Sequence, residues 1–206
     1  MNKNLSSTNH AFSEIIESSL SSWTAQCWQW DHFPIFGSLV TTTQHNLQIF
    51  GVVHSIKTGA CDPIRQPIAY QKTEEELKRE QPQIFEFLQT TFNCLTIGYQ
   101  EKEKFFYHLP ENPPKIHSFV LNATTEQYQD FFSQEQFLHL LFNVSNQIFN
   151  LDELLLAILK QLIKRKIIHP KNINNFIETF SMLCKNDYQK LKIFLQRTEQ
   201  FFAKDF

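Results

Sequence analysis

The chain has 206 residues, 42% of them hydrophobic and 19% charged, with a formal net charge of -2. That size fits one globular domain, or a domain with a helical appendage, and is long enough to bury a core. Only 4 glycines stand against 21 phenylalanines, which excludes collagen-like and Gly-rich disordered chains and disfavours phosphate-binding loops.

Residues 12–30 read as a helix, with Phe12, Ile15, Ile16, Leu20 and Trp23 at helical spacing and Ser13 available as a cap. From Phe36 the pattern turns to β. Gly37-Ser-Leu-Val-Thr-Thr-Thr, a turn over residues 44–46 and Leu47-Gln-Ile-Phe-Gly-Val-Val-His-Ser-Ile predict a hairpin, with Gly51 marking a bulge or the close approach of another backbone. Two prolines and a glycine within residues 58–67 predict an irregular connection. Thr73 and Glu76 then form a capping-box pair, with Glu74, Glu75 and Glu76 at the positive end of the helix dipole. Pro82 restarts that helix, and residues 82–92 are expected to bury Ile84, Phe85, Phe87 and Leu88.

A second hairpin is read from Cys94-Leu-Thr-Ile-Gly-Tyr and Phe105-Phe-Tyr-His-Leu around a charged tip at residues 101–104, with one more strand at residues 116–121. The remainder reads as helical. Thr124 with Gln127, Ser133 with Gln136 and Asn150 with Glu153 fit helix starts, Pro170 suits the first turn of a further helix, and Asp187 opens the last. The expected fold is α+β: a small β-barrel with inserted helices over residues 10–123, followed by an all-helical region over residues 124–206.

Charge is uneven along the chain. Residues 1–120 carry 9 basic and 12 acidic side chains, whereas the window from Lys160 to Arg197 carries 9 basic and 2 acidic ones. Lys164, Arg165 and Lys166 form its densest run, which suits phosphate or an acidic partner. The leading ten residues have Lys3 but no apolar run, which argues against a secretory leader. The apolar stretch over residues 151–168 holds too many charges to span a membrane. A cytoplasmic location, or the soluble interior of an organelle, is expected.

The cysteines Cys27, Cys61, Cys94 and Cys184 make no CxxC pair, so reduced thiols are expected rather than a disulfide framework or a zinc knuckle. His54, His108 and His117 fall on predicted strands near Cys61 and Cys94, but none of them supplies the close ligand pair typical of zinc sites. Cys61 is the best nucleophile candidate, and the adjacent Asp62 carboxylate disfavours its thiolate. The clustered aromatics Trp23, Trp28, Trp30 and Phe33 lack the interleaved cations that single-strand binding needs. No cofactor, metal or catalytic residue is assigned, and an enzyme is not expected.

A resemblance narrows this reading. Gly37-Ser-Leu-Val followed by Ile49-Phe-Gly-Val-Val-His resembles the opening strands of the HAS-barrel family, the small β-barrel of HerA-type DNA translocases and of ATP synthase ring subunits. The block Asp62-Pro-Ile-Arg-Gln-Pro-Ile-Ala-Tyr, with Glu75-Glu-Leu, Glu80-Gln-Pro-Gln-Ile-Phe and Pro113-Pro-Lys-Ile-His, is similar to uncharacterised cyanobacterial-type HAS-barrel proteins with a helical tail. The motor relatives attach the barrel to an ATPase, and this chain has no GxxxxGK[ST] run to cradle phosphates.

The resemblance therefore implies docking or assembly: a non-enzymatic protein-interaction module, an adaptor for an ATPase or another complex. Its candidate contacts are Asp62, Arg65 and Tyr70 in the Pro-rich loop and Lys164, Arg165 and Lys166 in the tail. Arg65, between Pro63 and Pro67, either locks the loop to Glu75 or Glu80 or reaches a partner. A protein is the expected partner, with a second copy of the chain also considered and nucleic acid on the basic helices as the alternative.

Overall fold

A computed structural model describes residues 11–62, 64, 67–143, 150–167, 173–183 and 187–202. Seven strands run in the order β1 (Ala11–Ser18), β2 (Ser22–Cys27), β3 (Leu39–Gln44), β4 (Leu47–Ala60), β5 (Leu88–Glu101), β6 (Lys104–Phe106) and β7 (Phe119–Asn122). They form one antiparallel sheet in the order β2-β1-β7-β3-β4-β5-β6, and a further pairing of β2 with β5 closes six of them into a barrel. β6 hangs on β5 outside the closed ring.

Helices α1 (Glu74–Glu80) and α2 (Gln83–Glu86) are inserted between β4 and β5. After β7 come α3 (Thr125–Phe131), α4 (Phe137–Asn143), α5 (Leu151–Lys164), α6 (Ile173–Leu183) and α7 (Tyr188–Phe202). The architecture is the α+β barrel with inserted and C-terminal helices that the sequence implied.

The expected helix over residues 12–30 is instead the β1–β2 hairpin. Trp23, Ala25 and Cys27 point inward at the strand period of two, while Ser22, Thr24 and Gln26 lie on the other face. On β1 the alternation is broken between Ile15 and Glu17, where the register with β2 shifts. Ile15 is buried and Ile16 is 45% exposed, so two adjacent apolar residues that mimic a helical stripe belong to a bulged strand.

A second correction concerns residues 82–92. Only residues 83–86 are helical, and α2 buries none of them. From Leu88 the chain is already β5, with Thr90, Phe92 and Cys94 buried in alternation. The other helix starts hold to differing degrees. Thr73 with Glu76 and Thr124 with Gln127 make both bonds of a capping box, and the Asn150 side chain accepts from the backbone N–H of Asp152 and Glu153. Ser133 Oγ instead donates to the Asp130 carbonyl. Leu191 N–H donates to the Asp187 carbonyl at the start of α7. Pro170 and Cys184 lie outside the described residues.

The expected hairpin is β3 and β4, closed at Gln44 and Leu47 by His45 and Asn46, with His45 at φ 55°. Gly51 lies beside the β4–β5 register shift its position suggested, and the group that approaches it is the Trp23 ring rather than another backbone: a Cβ there would lie 2.6 Å from Trp23 Cζ2. One small core fills the barrel around Trp23, Ile15, Val40 and Phe92. The larger core joins barrel residues Leu39, Phe50, Val52, Leu95 and Ile97 to the helical region through Phe131, Leu155, Ile158, Leu159 and Phe180. The barrel and its helices thus share one apolar interior.

Candidate interaction surface

The 14-residue strands β4 and β5 pair along their whole length, from Leu47 with Glu101 to Ala60 with Leu88. β3 covers β4 only as far as Val52 and β2 covers β5 from Thr91 to Leu95, so the end of the pair, from Thr58 with Thr90 to Ala60 with Leu88, is a two-stranded ribbon. At its end Cys61 N–H donates to the Phe87 carbonyl at 2.8 Å, clamping both ends of the inserted connection.

On one face of the ribbon, Thr90 Oγ1 donates to the Trp30 carbonyl, and Trp30 stacks on Phe85 of α2 at 5.6 Å between centroids. The Lys78 ammonium lies 5.7 Å from the Phe85 ring centre. These contacts fix the insert against the barrel although α1 and α2 bury no residue. Glu74 pairs with Lys78 at 2.6 Å, and Glu80 pairs with Lys72 and Arg79. The Thr73 hydrogen bonds hold the Glu76 carboxyl below its ordinary pKa, as befits a capping carboxylate.

The other face carries a cleft of about 430 Å³. Lys57 and Gly59 of β4 lie across from Thr91 and Gln89 of β5, and Cys61, Asp62 and Pro67 close one end. A Cβ on Gly59 would meet no atom within 4 Å, so this position opens directly into space.

Of the loop residues singled out from sequence, Asp62 is half-buried, and its Oδ1 accepts the Ile64 N–H at 2.9 Å. Tyr70 is half-buried, and Arg65 lies outside the described residues. Sequence reasoning passed over the two isoleucines beside them. Ile64 is 90% exposed and Ile68 67% exposed, and the signal was there to be read: β-branched apolar residues in a Pro-rich loop that cannot join the sheet.

The basic residues of the tail divide. Lys164 and Lys166 are exposed. Arg165, at the C-cap of α5, lays its guanidinium 4.1 Å from the Tyr128 ring centre, with Nε buried and given no hydrogen-bond partner among the described residues. Tyr128 Oη accepts the Leu39 N–H at 2.7 Å, and burial raises the phenol pKa. Arg197 pairs with Glu153 at 2.6 Å. Two of the cations read as a binding patch thus also hold the fold together.

The histidines and cysteines weighed as ligands are dispersed. His54 is the extra residue of a bulge, where Val53 faces Cys94 and Ser55 faces Asn93. It lines a cleft of about 310 Å³ with Glu17, Trp23, Thr24 and Asn93, and burial lowers its pKa. His117 pairs with Glu14, and His108 stands against Tyr99 and Phe106. Cys94 is fully buried, with its thiol pKa raised by desolvation, and Cys61 is exposed. Among the described residues no cluster of three or more His, Cys, Asp or Glu is placed to hold a metal, and no helix is long and apolar enough to cross a membrane. In comparisons with known proteins, no family model and no curated protein matches this chain.

Proposed function

We propose that this protein is a non-enzymatic interaction module, an adaptor that docks another protein through the connection between β4 and β5. The observation that carries the reading is the exposure of Ile64 and Ile68 on a loop clamped at its base. Exposed β-branched side chains add nothing to the chain's own core, whereas a partner that covers them gains about 25 cal/mol per Å² of apolar area removed from water. The clamp and the Trp30–Phe85–Lys78 stack limit the ordering entropy of such a contact.

The resemblance of the 62–85 block to HAS-barrel proteins supports the same reading, because in the motor relatives the barrel docks and assembles while a separate ATPase does the chemistry. A barrel joined to helices, with no phosphate loop in the sequence, suits an adaptor for an ATPase or another complex.

The test is association of the wild-type chain and an Ile64→Ser/Ile68→Ser variant with native extract, followed by size-exclusion chromatography at matched concentration. A defined complex that the wild type forms and the variant loses is expected. A wild-type chain that elutes alone, or a complex indifferent to both substitutions, overturns the reading.

A further inference from the structure

We infer that the edge of β4 over residues 55–60, which no strand among the described residues pairs, docks an extended acidic peptide segment of a partner protein, added as an extra strand. The inference rests on the interaction reading above and specifies its contact. β4 is bonded on one side by β5 throughout, but on the other side β3 reaches only Val52. The last bonds there are Gly37 N–H to the Val53 carbonyl and Val53 N–H to the Ser38 carbonyl. The His54 bulge follows at once. Beyond it, among the described residues, no strand pairs with this edge of β4. Such an edge presents alternating backbone donors and acceptors to any extended chain that arrives.

Side-chain recognition is provided next to that edge. Lys57 and Gly59 point to the same face as their cross-strand partners Thr91 and Gln89, and the space between them is the 430 Å³ cleft. Gly59 leaves its floor open, so a strand laid along the edge can place one side chain into it.

Charge selects the occupant. Lys57 is exposed in the middle of the edge and, among the described residues that line the cleft, is the cation, while the acid, Asp62, stands past the end of the strand. A lysine on a free edge disfavours pairing with a second copy of the same edge and favours a peptide with a carboxylate near it.

The experiment pans a display library of random octapeptides against the full-length protein and measures selected, fluorescein-labelled peptides by anisotropy. Backbone amide exchange is followed over residues 55–60. Acidic peptides with alternating apolar residues are expected, with slowed exchange at this edge. Gly59→Leu, whose Cβ would meet no atom within 4 Å and whose side chain adds bulk to the cleft, and Lys57→Glu should each weaken binding at least about tenfold, a change of roughly 1.4 kcal/mol.

Failure to select a peptide, binding unchanged in both variants, unaltered exchange at the edge, or a dimer formed through it would overturn the inference. The complex with the native partner separates the two levels. If Gly59→Leu and Lys57→Glu leave it intact while Ile64→Ser/Ile68→Ser abolishes it, strand addition is refuted and the interaction reading stands. If none of these substitutions affects it, both are refuted.

Discussion

Gly37 and Ala157 touch so closely that the loop before β3 and helix α5 admit no side chain between them: a Cβ on Gly37 would lie 2.6 Å from Ala157 Cβ and 2.9 Å from the Ala157 carbonyl carbon. Gly37 also sits at φ 77°, where side chains strain the backbone. This contact sets how near the helical region comes to the barrel and lets Ile158 and Leu155 join Leu39 in one core.

Gly37→Ala should therefore destabilise the whole protein by about 2–4 kcal/mol, combining overpacking with left-handed strain. Gly59→Ala is the control, because its Cβ enters open space, and it should change stability by no more than about 1 kcal/mol. Urea unfolding of the two variants at unchanged m-value checks the contrast.

Tyr128 and Arg165 make the second tie between helices and barrel. Tyr128→Phe leaves the Leu39 N–H without its acceptor and should cost about 1–3 kcal/mol. Arg165→Ala, which removes the cation over the ring, should cost about 0.5–2 kcal/mol. Because both act on one ring, their effects should not add, and a double-mutant cycle by thermal unfolding measures the coupling.

His54 gives a pH signature. Burial lowers its folded pKa below the ordinary 6.5, so the unfolded chain binds its proton more readily. The stability this contributes is complete above pH 6.5 and is lost as pH falls through the folded value. The His54 ring should titrate below 6.5 by NMR, and a His54→Gln variant should lose part of the acid sensitivity in that window. A His54 titrating above 6.5 would contradict the burial seen in the bulge.

Residues that kept one period were legible in the sequence. The β3–β4 hairpin, the capping boxes at Thr73 and Thr124, and the register shift beside Gly51 follow from local chemistry. The misreadings fell where local signals conflict. At Ile15–Ile16 both the inward and the outward residue are apolar, so the polar–apolar alternation that marks a strand is absent, and the bulge before Glu17 disturbs the period further. At residues 82–92 a four-residue helix runs into β5, and the pairing of β5 with β2 and β4 overrides the apolar stripe. On the Pro-rich connection the charged residues drew the reading, and the exposed Ile64 and Ile68 beside them were overlooked. Arg165 read as a free cation because the Tyr128 ring beneath it is remote in sequence.

Exposure should separate function from fold at the loop. Ile64→Ser and Ile68→Ser are expected to leave the melting temperature unchanged, since exposed positions away from caps and cores shift stability by no more than about 0.5 kcal/mol.

The most direct measurement places a photo-crosslinking amino acid at position 64 or 68 and irradiates the protein in its native cell, with the exposed Gln196 of α7 as the comparison site. The account predicts one discrete crosslinked protein shared by positions 64 and 68 and absent from position 196. No adduct at either loop position, or the same smear from all three, would contradict it.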